Sequence, residues 1–191
     1  RSSFFSSHNT GGNASIATAR AGNVIGGGDW AKDRLVPDAI TAFANGEPVT
    51  IRNRNAIRPW QHVLEPLGGY LTLLECLHEH KTGSASAWNF GPSDDQHVSV
   101  KFVVEKLAKL WGEKAVWRDG TSDSPHEANV LNLNSTKAMN ALDWAPRWTL
   151  ERALNATVDW HKAFSKGVDM YDFSLKQIEE YNSSQQNYFR T

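Results

Sequence analysis

The sequence predicts an α/β fold, and three features of the sequence predict it. Short apolar stretches alternate with segments of helical period, the pattern of strands and helices in turn. Glycine, proline, serine and asparagine fall between those segments, where chain reversals need them. Hydrophobic residues make up 40% and charged residues 21% of the 191 residues, an ordinary globular balance.

The elements follow in order. Residues 1–5 read as the tail of a helix, and residues 6–15, rich in Ser, Asn and Gly, as a surface loop. Residues 16–24 read as a strand, small and apolar except for Arg20. Gly26-Gly27-Gly28-Asp29-Trp30 then ends it as a flexible loop. Residues 36–45 have a helical pattern, with Pro37 in the first turn and Gly46 at the stop. Residues 49–52 form a short strand. Residues 67–78 form an amphipathic helix with Leu67, Leu71, Leu74 and Leu77 at helical spacing. Ala87–Phe90 is a strand closed by Gly91 and Pro92. Ser99 caps a helix running to Trp111, with Val103, Leu107 and Leu110 on one face. Residues 116–118 read as a strand. Ser135 caps a helix over 136–142, and Thr149 or Leu150 opens a last long helix through Lys166. The polar residues 183–191 are expected to fray.

Several classes of function are disfavoured. A formal charge of −1 gives no broad grip on nucleic acid or on a membrane surface. The aromatic residues are spread at core-like spacing, not along a basic stripe, which disfavours single-stranded nucleic acid. No apolar run is long enough to span a bilayer, and no signal-peptide pattern opens the sequence. Cys76 is the only cysteine, which excludes an intrachain disulfide and fits a reducing compartment. His78 and His80 lack His-Glu-x-x-His spacing, so a zinc site is not expected.

Four stretches carry chemistry. Arg20 to Trp30 runs a strand into three glycines, and the carboxyl edge of such a strand is where ligands lie in open α/β sheets. Asn23 in it can donate to a phosphate or sugar oxygen. Asp33-Arg34-Leu35-Val36-Pro37 opens a helix, where main-chain N–H groups favour anions and Arg34 adds a full charge. An exposed Arg34 paired with Asp38 is the plainer reading of that stretch. Arg52, Arg54 and Arg58 lie within seven residues, beside Trp60 and His62. A guanidinium fork matches a phosphate pair, so this stretch is the strongest candidate for an anion site. Ser124-Pro125-His126-Glu127-Ala128 places His beside Glu, the weakest of the four. No Gly-x-Gly-x-x-Gly opens a helix after a strand, so the usual anchor for a dinucleotide pyrophosphate is missing.

Arg20-Ala21-Gly22-Asn23-Val24-Ile25-Gly26-Gly27-Gly28-Asp29-Trp30, Asp33-Arg34-Leu35-Val36-Pro37 and the run from Ile57-Arg58-Pro59-Trp60-Gln61-His62-Val63 to Leu67 closely resemble the CDP-glucose 4,6-dehydratases, a branch of the extended short-chain dehydrogenase/reductases. Pro125-His126-Glu127-Ala128 matches as well, and the resemblance covers Arg1 to about Tyr181.

The resemblance implies the carboxy-terminal part of such an enzyme, with the last Rossmann strands and a small substrate-binding domain. On that reading residues 1–30 are a remnant of the Rossmann domain, 31–181 mainly bind the nucleotide sugar, and 182–191 are a tail. The amino-terminal half, which binds most of the NAD and supplies the catalytic Tyr-x-x-x-Lys, is expected to be missing. No Tyr-x-x-x-Lys occurs in the sequence, so no catalytic residue is assigned. The implied reaction converts CDP-glucose to CDP-4-dehydro-6-deoxyglucose and water, in the service of deoxysugar synthesis. Hydride leaves C4 for NAD and returns to C6.

The resemblance places Ala21 and Asn23 at the nicotinamide end, and Asn23 also at the substrate. Arg34 and Leu35 meet the diphosphate; Thr50, Ile51 and Arg52 run along the base; Arg58 is the main diphosphate arginine; His126 and Glu127 lie near the ribose. It implies a cytoplasmic homodimer or homotetramer for the whole protein, with neither nucleic acid nor membrane as partner. The alternatives are an NAD-dependent epimerase or dehydratase of another nucleotide sugar, or a non-catalytic nucleotide-sugar-binding remnant. The chain alone is expected to be inactive. It is also expected to be poorly stable, since strand 16–24 calls for parallel neighbours on both sides.

Overall fold

The computed structural model describes residues 15–93, 96–120 and 128–184. It holds seven strands and six helices among these residues. In chain order they are β1 (Thr18–Ala21), β2 (Asn23–Ile25), α1 (Leu35–Asn45), β3 (Val49–Ile51), β4 (Ile57–His62), α2 (Leu64–His78), β5 (Ala87–Phe90), β6 (His97–Ser99), α3 (Val100–Trp111), β7 (Trp117–Asp119), α4 (Thr136–Leu142), α5 (Leu150–Ser165) and α6 (Met170–Ser183). The expected α/β class is borne out.

The strand expected over 16–24 is two strands that part company at Gly22. β1 pairs parallel with β5, and β2 pairs parallel with β4, with Asn23 opposite Trp60. The break has a steric cause. A Cβ on Gly22 would lie 2.5 Å from the carbonyl oxygen of Pro59, so only glycine lets the chain cross β4 there. β4 also pairs antiparallel with β6, and β3 pairs parallel with β7.

Local signals set several helix ends. Ser99 accepts from the Phe102 N–H, and Thr149 from the Arg152 N–H. Gly46 ends α1 at φ 71°, in the left-handed region. Ser135 occupies the cap position of α4 but does not cap it. Its hydroxyl instead accepts from the buried Gly91 N–H at 2.7 Å, because β5 ends beside it. The helix α6 and the strands β4 and β6 have no counterpart in the sequence reading. Asp169 caps α6 through the N–H groups of Tyr171 and Asp172.

Two large apolar clusters organise the packing, beside a small one of Trp148, Ala156 and Tyr181. The larger joins α1, α3 and α5 against β2, β3 and β4, around Phe43, Leu107, Leu154 and Trp60. The second joins α2, β5 and α4 around Leu73, Trp88, Phe90 and Trp144. α2 departs from expectation. It starts at Leu64, and Leu67, Leu71 and Leu74 are 46%, 62% and 60% exposed. The face it buries carries Glu65, Pro66, Gly69, Leu73 and Cys76. The reason is at Gly69, where a Cβ would lie 2.2 Å from the Phe90 ring. The missing side chain lets the helix sit down on β5 through that face.

No described helix is long and apolar enough to cross a membrane.

Candidate functional site

A cavity of about 830 Å³ opens where β2, β3 and β4 meet the start of α1. Its lining includes Asn23, Arg34, Leu35, Thr50, Ile51, Arg52 and Arg58. Residues scattered over three of the four candidate stretches thus share one wall system. Four segments bring them there. β2 begins at the cavity and presents Asn23. The start of α1 presents Arg34 and Leu35, and the exit of β3 presents Arg52. Arg58 enters from β4, opposite Val98 of β6.

Arg58 is the buried cation of the group, 8% exposed, with Nη1 donating to the Ile57 carbonyl at 2.9 Å. A guanidinium so enclosed carries a large desolvation cost unless anions or oxygen acceptors meet it. The N–H groups of Leu35 and Val36 lie in the first turn of α1, where no earlier helical carbonyl can accept from them. Guanidinium groups and first-turn N–H groups together make a wall suited to phosphate oxygens.

Carboxylates share the same walls, and the sequence reading did not count them among the site residues. Asp29 accepts from Arg34 at 3.2 Å, so the pairing of Arg34 with Asp38 expected from the sequence is replaced. Asp33 accepts from Arg52 at 3.1 Å. Asp38 lines the cavity too, and burial, with the Asp33 carboxylate second, holds its carboxyl above the usual range. The clustering of Asp29, Asp33 and Asp38 around Arg34 is a sequence signal that could have found them.

The remaining candidates stand apart. Ala21 ends β1, one residue before the cavity wall begins at Gly22. Arg54 pairs with Asp119 at 2.7 Å on the surface. His62 is buried beneath the Trp148 ring. Thr50 lines the cavity, but its hydroxyl is taken up in accepting from Arg118 Nε at 3.1 Å across the β3–β7 pair. His126 and Glu127 lie outside the described residues.

The glycine run is not the open, flexible loop expected of it. A Cβ on Gly26 would meet Val63 at 2.8 Å, and one on Gly27 would fall 2.0 Å from Trp160. Gly26 seats the loop against Val63 and Gly27 seats it against α5, and none of the three glycines lines the cavity. No Gly-x-Gly-x-x-Gly occurs in the sequence, so the usual anchor for a dinucleotide pyrophosphate is not supplied by this run. No group of His, Cys, Asp and Glu among the described residues is arranged to hold a metal.

No protein-family profile matches the chain. By fold it is similar to nucleotide-sugar epimerases. One is the UDP-glucose 4-epimerase of Stenotrophomonas maltophila, solved with NAD and formylated UDP-arabinopyranose. It aligns with TM-score 0.73 and 19% identity over 87% of this chain and 53% of that one. Another is the UDP-glucuronic acid 4-epimerase of Bacillus cereus, solved with UDP-glucuronic acid and NAD. Its TM-score is 0.70 and its identity 19%, over 85% of this chain and 50% of that one. In sequence the chain is 48% identical over 169 residues to the CDP-glucose 4,6-dehydratase of Salmonella typhimurium, covering 88% of this chain and 47% of that protein. The resemblance drawn from the motifs is borne out. The chain spans about half the length of the curated relatives it matches.

Proposed function

We propose that the cavity holds the diphosphate of a nucleotide sugar, and that the chain is the substrate-gripping part of an NAD-dependent CDP-glucose 4,6-dehydratase. The observation that carries this reading is Arg58, buried in the wall of a cavity that also exposes Asn23, Arg34 and the start of α1. Arg58 and the first turn of α1 meet the two phosphates. Asn23 donates to the sugar or its phosphate, and the edge formed by Thr50, Ile51 and Arg52 runs along the base, with the Arg52 guanidinium able to reach back to the diphosphate. His126 and Glu127 complete the ribose end. Ala21 and Asn23 lie at the nicotinamide end of NAD, whose pyrophosphate needs glycines this chain does not supply. The chain holds no Tyr-x-x-x-Lys, so by itself it binds without turning over. The identity of 48% to a CDP-glucose dehydratase supports the choice of base and reaction.

Calorimetric titration with CDP tests the reading. Arg58→Ala should weaken binding by about 2–4 kcal/mol, the scale for removing one partner of a buried charged contact. Equal affinity in a folded variant would overturn it. Running UDP, GDP and dTDP beside CDP separates this reading from a dehydratase or epimerase of another base.

A further inference from the structure

We propose that Asp33 is a competing anion built into the site. It occupies Arg52 in the free protein and releases it to an incoming diphosphate, so it sets how strongly the cavity binds phosphate. This rests on the reading of the cavity as a phosphate site.

The ion pair is placed for such an exchange. Asp33 stands just before α1 and Arg52 just after β3, both line the cavity, and their 3.1 Å contact bridges its two walls. Asp33 has φ 63°, the left-handed region that Asp and Asn tolerate better than other side chains. The turn therefore favours Asp, Asn or Gly there, and a carboxylate is one choice among the three.

Charge balance points the same way. The charged groups lining the cavity are Asp29, Asp33 and Asp38 against Arg34, Arg52 and Arg58. Three of each leave it formally neutral. A general anion trap would carry excess positive charge. Here Arg34 and Arg52, the two rim arginines, already face carboxylates, and a ligand must win them.

The exchange is energetically easy. The side chains of Arg52 and Asp33 are 61% and 83% exposed. Such a pair is worth at most about 1 kcal/mol. Asp33 returns to water when Arg52 leaves, so no buried charge is stranded. A diphosphate anchored at Arg58 offers Arg52 two linked groups and a bidentate geometry, which outcompetes a single carboxylate.

The test is binding of CDP and of inorganic pyrophosphate to the protein by calorimetry at low salt. Asp33→Asn should tighten both by up to about fivefold, the equivalent of an exposed ion pair. Asp33→Gly, which also accepts the left-handed turn, should do the same. The gain should vanish in the Arg52→Ala background and shrink as salt screens the pair. Unchanged or weaker binding by both Asp33 variants would mean that Asp33 only shapes the turn, and would overturn the proposal while leaving the phosphate site intact. If the folded wild-type protein binds neither ligand, the phosphate reading itself fails, and this inference with it.

Discussion

The hydroxyl of Tyr181 donates to Oε2 of Glu65 at 2.9 Å, joining α6 to the first turn of α2. The same carboxylate accepts from the N–H groups of Arg147 and Trp148, at 3.0 and 2.7 Å. Glu65 is therefore a buried junction of three chain segments near the carboxy-terminal helices.

Removing that junction should destabilise the fold without touching the cavity. Glu65→Leu strands three donors and should cost about 3 kcal/mol or more, at about 1–3 kcal/mol for each unsatisfied buried group. Tyr181→Phe removes one hydrogen bond and should cost about 1 kcal/mol. Urea denaturation reads both, and a Glu65→Leu protein as stable as wild type would show that the donors find other acceptors. Burial holds the Glu65 carboxyl above the usual range, against the pull of its donors. The stability this carboxyl contributes in its protonated form is thus lost as pH rises through its folded value.

His62 makes stability fall on the acid side. Burial first, and the Arg152 guanidinium second, lower its pKa from 6.5 to about 4. Between those values the unfolded chain binds the proton and the folded one does not, so stability rises with pH across that window. The side chain is buried against Trp148, with Nδ1 facing the Leu64 N–H at 3.4 Å. His161 shifts in the same direction, from burial, and keeps its own share of the acid sensitivity. His62→Phe retains an aromatic ring but cannot titrate. The stability difference between wild type and variant should change by about 2 kcal/mol between pH 7 and 5, since each tenfold difference in proton affinity between the folded and unfolded chain is worth about 1.4 kcal/mol. Parallel stability curves for the two proteins would refute this.

Gly27 tests how the glycine loop is held. Its missing Cβ makes room for Trp160, which stacks on Phe164 and meets the edge of Trp30. Gly27→Ala should cost about 1–3 kcal/mol, the scale for overpacking a well-filled site. Trp160→Leu should recover part of that loss in the double variant. A Gly27→Ala protein of wild-type stability would mean that the loop shifts freely.

The parts legible in the sequence were those governed by neighbours along the chain. Ser99 followed by Val103 and Leu107 marks α3, and both apolar residues are fully buried. Ala87–Phe90 forms β5 within the expected limits, since Gly91 and Pro92 cannot extend it. β4 was hidden by Pro59, which argues against an inner strand. β4 nonetheless runs between β2 and β6. α6 was hidden because its surface is mostly polar: only Gln177 and Tyr181 are buried, and they dock it through hydrogen bonds to Ala156 and Glu65.

By itself the sequence determined the α/β class, most helix limits, and the arginines, Asn23 and helix start that belong to the candidate site. These follow from periodicity, capping and side-chain chemistry, which are local. Only the tertiary structure decided which face of α2 is buried, since periodicity marks a stripe without saying what lies opposite, and Phe90 against Gly69 made that choice. It also decided that Arg34 and Arg52 face Asp29 and Asp33, since a charge finds its partner through space.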